Sequence, residues 1–202
     1  MLKSSKSFEY QVETLVKHGL AQYADADAFR ARVPKKGRFL FLPRRPKTPD
    51  YHALMQLIVH NGVRGKTTYK SKLISDDFDT PRTASLLLDV DDGQKKRVYS
   101  PWAPSIDAKA RIAKEGRHPY TAFQGIIHAI LYPEFIPGPQ HYVELLGSLY
   151  DRGGKPFALS TILYLEHHYR EPAKEVAPTL SSSYFGPAWW HVFPSYGNLL
   201  LP

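Results

Sequence analysis

The clearest hydrophobic pattern in the chain directly follows its N-terminus. After Ser7, apolar residues recur at helical spacing as Phe8, Val12, Leu15, Val16 and Leu20. The Ser7 hydroxyl can accept hydrogen bonds from the free amides of a first helical turn, and Gly19 is a typical helix end. This pattern predicts a helix over residues 7–20.

The next hundred residues mix helix and strand signals. We expect a shorter helix from Asp25 or Asp27 to Arg32 and a strand over 37–42. Residues 63–81 are predicted to form a loop that contains one strand near 67–74. The sequence Thr48-Pro49-Asp50 is a helix start signal, because proline is tolerated where the amide has no partner. The helix that follows is predicted to end at Asn61-Gly62 and to bury four residues: Tyr51, Leu54, Met55 and Ile58.

The second half of the chain is predicted to be richer in strands. The run 84–90 is too apolar for a half-exposed strand, and Asp91-Asp92-Gly93 fits the tight turn of a hairpin that returns through 97–99. Helical composition over 105–115 ends at Gly116. Thr121 and Gln124 have the spacing of a capping box before an apolar helix that Pro133 ends. A hairpin over 142–150 and 156–165 and short strands over 179–201 complete the chain.

These elements do not alternate as regular strand–helix–strand units, which favours an α+β fold over a parallel α/β sheet. We therefore predict one domain over residues 1–202, with N-terminal helices packed on a mainly antiparallel sheet. Its helical part spans 1–62 and its sheet-rich part spans 84–202. The length of 202 residues fits a single domain.

Composition narrows the possible chemistry. The chain contains no cysteine, which excludes disulfides, thiolate metal sites and a cysteine nucleophile. Nine histidines are present, but no spacing typical of a metal site occurs, so no metal and no cofactor are predicted. No apolar run approaches the roughly 20 residues that span a bilayer, and the N-terminus has no signal-peptide pattern, so we expect no membrane partner and a cytoplasmic location.

The basic residues are concentrated in one segment. Residues 34–72 contain ten lysines and arginines and one acid, Asp50, so they carry a net charge of +9 while the rest of the chain carries −1. Tyr51 and Tyr69 lie among these charges, as a surface that follows phosphates and stacks bases requires. We predict an anion-binding surface formed by Lys35, Lys36, Arg38, Arg44, Arg45, Arg64, Lys66 and Lys70. The alternative is a solvated face that acids such as Asp76 neutralise.

Two other stretches of the sequence have features typical of binding sites. The stretch Gly62-Val63-Arg64-Gly65-Lys66-Thr67 approaches a phosphate-binding loop, but His60 stands where the first glycine belongs and a helix precedes the loop, so we reject that function. Six aromatic residues fall within 184–196. Such a segment favours closure of the core by the C-terminus, with a ligand cradle or a protein-binding patch, such as a homodimer contact, as the alternative.

The last 120 residues resemble a family of small bacterial proteins of unknown function. The resemblance is carried, in this order, by Leu86-Leu87-Leu88-Asp89-Val90, Gly116-Arg117-His118-Pro119 with Thr121 and Gly125-Ile126, Leu145-Leu146-Gly147-Ser148, and the stretch from Pro178 to Trp189. The stretch 166–177 is an insertion relative to that pattern. The resemblance implies a bacterial protein and a single fold, and it assigns no catalytic residues.

The sequence thus predicts a non-catalytic binding or accessory protein whose basic surface meets an anionic partner, with nucleic acid as the leading candidate. The alternative is an enzyme that acts on a small phosphorylated or carboxylated substrate held by Arg64, Lys66 or Arg117. Whether the protein is an enzyme stays open at this point.

Overall fold

The computed structural model describes residues 7–34, 39–68, 70, 73–76, 84–90, 110, 112–136, 141–150, 159–165, 177–182, 191–194 and 198–200. Its helices are α1 (Phe8–Lys17), α2 (Tyr23–Arg30), α3 (Tyr51–Met55) and α4 (Ala122–Leu131), the last followed by a 3-10 turn over Pro133–Phe135. Its strands are β1 (Phe39–Leu42), β2 (Val59–His60), β3 (Val63–Arg64), β4 (Lys66–Thr67), β5 (Ile74–Asp76), β6 (Leu86–Val90), β7 (His141–Tyr150), β8 (Leu159–Leu165), β9 (Pro178–Ser182), β10 (His191–Pro194) and β11 (Asn198–Leu200).

The first two helices form a pair linked by charge. Ser7 caps α1 as predicted, since its hydroxyl accepts a hydrogen bond from the Tyr10 amide. Arg30, in the last turn of α2, donates to Glu9 on α1 and to Asp27 on its own helix. The hydrogen bond to Glu9 raises the pKa of the Arg30 guanidinium above its ordinary value, so this side chain stays charged. The Arg30–Glu9 pair is half exposed and joins α2 to α1.

The strands form three sheets. One has the order β1-β6-β11, a second has the order β10-β7-β8-β9-β4 with β5 also paired to β7, and the third is the β2-β3 hairpin. The pairs β10-β7 and β4-β9 are parallel and the other pairs are antiparallel. The α+β class and the mainly antiparallel sheet are therefore confirmed.

Helix α4 lies at the centre of the described structure. It contacts α1, α3, β1, β7 and β8, and each of its ten residues is buried. The predicted capping box is present, because Gln124 N–H donates to Thr121 Oγ1 at 3.3 Å and Thr121 N–H donates to Gln124 Oε1 at 3.0 Å. A helix buried on every side needs an apolar sequence, which 122–131 provides.

The prediction that α3 extends to Asn61-Gly62 was wrong. All four predicted core residues are buried, but the helix ends at Met55, and Val59–His60 pairs with Val63–Arg64 as a hairpin. Asn61 (φ +49°) and Gly62 (φ +84°) form its two-residue turn. Both residues of a type I′ turn need positive φ, and Asn-Gly is the preferred pair for it. Likewise, the expected loop over 63–81 contains the three short strands β3, β4 and β5.

Several predicted features lie outside the described residues. These are the hairpin turn and return at 91–99, the turn 151–155 of the β7-β8 hairpin, and the stretch 166–176. Of the predicted helix over 105–115, Ala110 and residues 112–114 are described and helical, and Gly116 at φ +67° ends that segment as expected. The β7-β8 hairpin itself and the short C-terminal strands are confirmed.

Gly65 lies close to the end of α3 and the start of β9, directly before β4. A Cβ atom at this position would lie 2.4 Å from the Met55 carbonyl oxygen and 3.2 Å from the Pro178 carbonyl oxygen. Because backbone cannot move aside as a side-chain end can, we expect Gly65→Ala to lower the free energy of unfolding by about 2–3 kcal/mol. Urea denaturation followed by circular dichroism measures this loss.

Gly125→Ala serves as the comparison for that prediction. The three atoms nearest to its Cβ all belong to the Leu145 side chain, which can rotate where backbone cannot, so the loss should be smaller. Equal losses in the two variants would contradict the packing argument.

Candidate functional site

The predicted anion-binding residues separate into four groups, and the fourth is Arg45, which is described below. Lys35, Lys36 and Arg38 lie outside the described residues. Three of the predicted residues are exposed: Arg44 on the loop after β1, Arg64 on β3 and Lys70 after β4. Lys47 is also exposed, on the same loop as Arg44. Lys66 is half-buried on β4 and takes part in an interaction.

The one acid in this stretch does not neutralise the exposed cations. Asp50 is the N-cap of α3, and its Oδ1 accepts hydrogen bonds from the amides of His52 and Ala53 at 3.0 and 3.1 Å. Its carboxylate is thus held at the helix end, where negative charge is favourable. Within the described part of the chain, no ion pair involves Arg44, Arg64 or Lys70.

Tyr51 does not serve as a base-stacking residue. Its side chain is fully buried in the core, with no exposed fraction, so the prediction that it stacks bases was wrong. The first residue of α3 points inward because Asp50 occupies the cap and the helix packs its Tyr51–Leu54–Met55 side on the core. Tyr69 lies outside the described residues.

Arg45 differs from the other cations because it lies inside the molecule. Its Nη2 donates to Asp76 Oδ2 at 2.8 Å, and the two side chains are only 10% and 3% exposed. The alternative to an anion-binding surface was a basic face that acids such as Asp76 neutralise. For Arg45 that alternative is correct, because Asp76 forms an ion pair with it. The Arg45 guanidinium is therefore buried and does not form part of the exposed basic surface.

The Arg45–Asp76 pair continues into a chain of hydrogen bonds that ends at α4. Ser148 Oγ donates to Asp76 Oδ1 at 2.6 Å and accepts from the Ala122 amide, the first residue of α4, at 2.7 Å. Ser148 itself is fully buried. This series of hydrogen bonds therefore connects the loop after β1, strand β5, strand β7 and the N-terminus of the central helix.

An irregularity in β7 places Ser148 in this position. The pairing with β8 jumps from Leu145–Thr161 to Leu149–Ser160, so residues 146–148 bulge out of the ladder. Gly147 sits in the bulge and donates its amide to the Tyr120 carbonyl at 2.8 Å. A Cβ there would lie 2.7 Å from the Pro119 carbonyl oxygen, which explains why glycine is needed.

A small cleft opens beside this hydrogen-bond chain. Its walls come from the end of β1 (Leu42 and Pro43), from Arg45 and Asp76, and from the first turn of α4 at 121–124. The space it encloses is close to that of one water molecule, beneath a partly open mouth. It is too small to surround a metabolite and large enough for one polar group.

Buried polar residues elsewhere form part of the core. Tyr120 Oη and His128 Nδ1 lie 3.0 Å apart, and the His128 ring stacks on Phe135 with centroids 4.0 Å apart. Gln11 donates to Tyr132 Oη at 3.2 Å. Among the described residues, no three His, Asp or Glu side chains lie close enough to hold one metal ion.

Of the C-terminal aromatic segment 184–196, only the backbone of residues 191–194 is described. Strand β10, which contains Phe193, pairs with β7, and β11 pairs with β6, so the end of the chain joins both larger sheets. Tyr184, Phe185, Trp189, Trp190 and Tyr196 lie outside the described residues. Core closure and a dimer contact therefore both stay predictions.

No protein-family model, curated protein or solved structure matches the chain. Within the part of the chain that the structure describes, no helix has the length and apolar character needed to cross a bilayer. The class that the fold defines is an α+β protein. Among the described residues, the basic loops and the buried Arg45 cleft are features that point toward a ligand.

Proposed function

We propose that this protein is a non-catalytic binding protein whose exposed basic loops hold an anionic partner, with nucleic acid as the leading candidate. The observation that carries the proposal is that Arg44, Lys47, Arg64 and Lys70 are exposed in a stretch whose one acid, Asp50, is engaged as a helix cap. Such cations attract phosphates and release their counterions on binding.

The nature of the surface supports a polyanion over a small substrate. The exposed cations lie on separate loops and strands, and the cleft is lined by other residues. Separate exposed charges suit a repeating phosphate backbone, whereas an enzyme site for a small phosphorylated or carboxylated substrate needs charges that converge in a pocket. The alternative is an enzyme that holds its substrate with Arg64, Lys66 or Arg117. Among the described residues, none of these three side chains lines the cleft, so the charges do not converge there.

We place the protein in a bacterial cytoplasm, as the resemblance over residues 84–198 implies. We also include self-association through the aromatic segment 184–196 in the proposal. Two chains would double the number of cations that one nucleic acid strand meets. Light scattering of the samples used for binding reports the number of chains.

The proposal is tested by fluorescence anisotropy with labelled RNA and DNA at low salt. We expect micromolar or tighter binding by the wild-type protein, and at least about tenfold weaker binding when Arg44, Arg64 and Lys70 are all replaced by glutamine. The control variant replaces Lys17, Arg32 and Lys114, which are exposed elsewhere, and so changes the net charge equally.

Equal weakening in the two triple variants would mean that net charge alone matters and that the loops are not the site. No binding by the wild-type protein at micromolar concentration would end the nucleic-acid proposal.

A further inference from the structure

Arg45 has more hydrogen-bonding groups than the described residues satisfy. Its Nη2 is bound to Asp76, but Nε and Nη1 are buried without a hydrogen-bond partner among the described residues. The side chain is only 10% exposed and lines the cleft. Buried charged N–H groups without partners are costly, and native proteins retain them where a ligand, an ion or a bound water satisfies them.

The first turn of α4 supplies the second part of the site. The amides of Ala122, Gln124 and Gly125 donate to Ser148 Oγ, Thr121 Oγ1 and the Thr121 carbonyl respectively. The Phe123 amide has no partner among the hydrogen bonds of the described chain, and Phe123 lines the cleft. The N-terminus of this ten-residue helix also carries about half a positive charge.

From these two observations we propose that the cleft binds the carboxylate group of a small molecule, between the Arg45 guanidinium and the N-terminus of α4. This inference does not rest on the proposed function, because Arg45 is separate from the exposed loops. An anion in this position is attracted by the Arg45 charge and by the first-turn amide together.

The size of the cleft selects a carboxylate over a phosphate. The enclosed space takes one oxygen atom, and a planar carboxylate can insert one oxygen and leave the other at the mouth. A tetrahedral phosphate presents three further oxygens around the inserted one and needs a wider mouth. The remainder of the molecule then extends into solvent.

Asp76 limits the affinity. Its carboxylate already neutralises Arg45 through Nη2, so a second anion is attracted mainly by the helix N-terminus and the remaining N–H groups. A ligand as small as formate has few atoms to contribute, which places its dissociation constant at about millimolar. Removal of the Asp76 charge should strengthen binding.

The test is thermal unfolding in sodium formate compared with sodium chloride at equal ionic strength and pH. Wild-type protein should show a saturating rise in Tm of roughly 2–5 °C in formate relative to chloride. The rise should be larger in Asp76→Asn and absent in the double variant Arg45→Met/Asp76→Asn, which removes both charges together. Arg44→Gln, which changes the neighbouring exposed arginine, should keep the wild-type rise.

An equal rise in the wild type and the double variant, or none in the wild type, would overturn the proposal. Sodium phosphate at the same ionic strength is the second arm. A phosphate shift as large as the formate shift would overturn the assignment to a carboxylate. Circular dichroism of each variant before heating confirms that it is folded.

Discussion

Replacing Arg45 with methionine is expected to lower the free energy of unfolding by about 3–5 kcal/mol. Methionine fills a similar volume, but it leaves the Asp76 carboxylate buried, at 3% exposure, without the cation 2.8 Å away. The hydrogen bond from the Ser148 hydroxyl alone cannot offset the desolvation cost of the Asp76 carboxylate. Urea denaturation at pH 7, followed by circular dichroism, measures the loss.

Two further variants separate the lost ion pair from the lost side-chain packing. Arg45→Met/Asp76→Asn removes both charges and should recover most of the stability, because a buried pair replaced as a unit is nearly neutral. Arg44→Met, at the exposed neighbouring position, should change stability by less than about 0.5 kcal/mol. If the single and double variants were equally unstable, the charge on Asp76 would not be the cause.

Truncation of Phe41 to alanine should lower the free energy of unfolding by about 3–5 kcal/mol. Phe41 is fully buried on β1, and its ring packs on Phe8 of α1 with centroids 5.4 Å apart and on Phe29 of α2 with centroids 5.7 Å apart. Its loss opens a cavity where two helices meet the smaller of the two main sheets. The same urea experiment measures the effect.

The control for Phe41 is Tyr23→Ala. Tyr23 is an aromatic residue of α2 that is 54% exposed, so its truncation should cost little. A loss at Phe41 no larger than the loss at Tyr23 would show that the α1–α2–β1 junction does not form as the structure places it.

Local signals were sufficient to predict the elements that have their own start and stop residues. Helix α1 has Ser7 and Gly19, and α4 has its capping box and Pro133, so both were predicted with their positions nearly right. The end of α3 was missed because Asn61-Gly62 suits a helix end and a hairpin turn equally well. The pairing of Val59–His60 with Val63–Arg64 decided between them.

The cleft was not predictable from the sequence in the same way. Arg44 and Arg45 are adjacent and chemically identical, and only the path of the chain after β1 makes one exposed and the other buried. Ser148 joins the site through a bulge whose register depends on the pairing of β7 with β8. The one local signal was Gly147 within a predicted strand, which often marks a bulge.

We propose that the exposed cations of residues 44–70 contact phosphates, and the salt dependence of nucleic-acid binding tests this proposal most directly. Each phosphate contact contributes about 0.7 to the slope of log K against log salt for a single strand. Replacing Arg44, Arg64 and Lys70 with glutamine should therefore reduce that slope by about 2, while the Lys17, Arg32 and Lys114 control keeps it. An unchanged slope in the first variant would contradict the account.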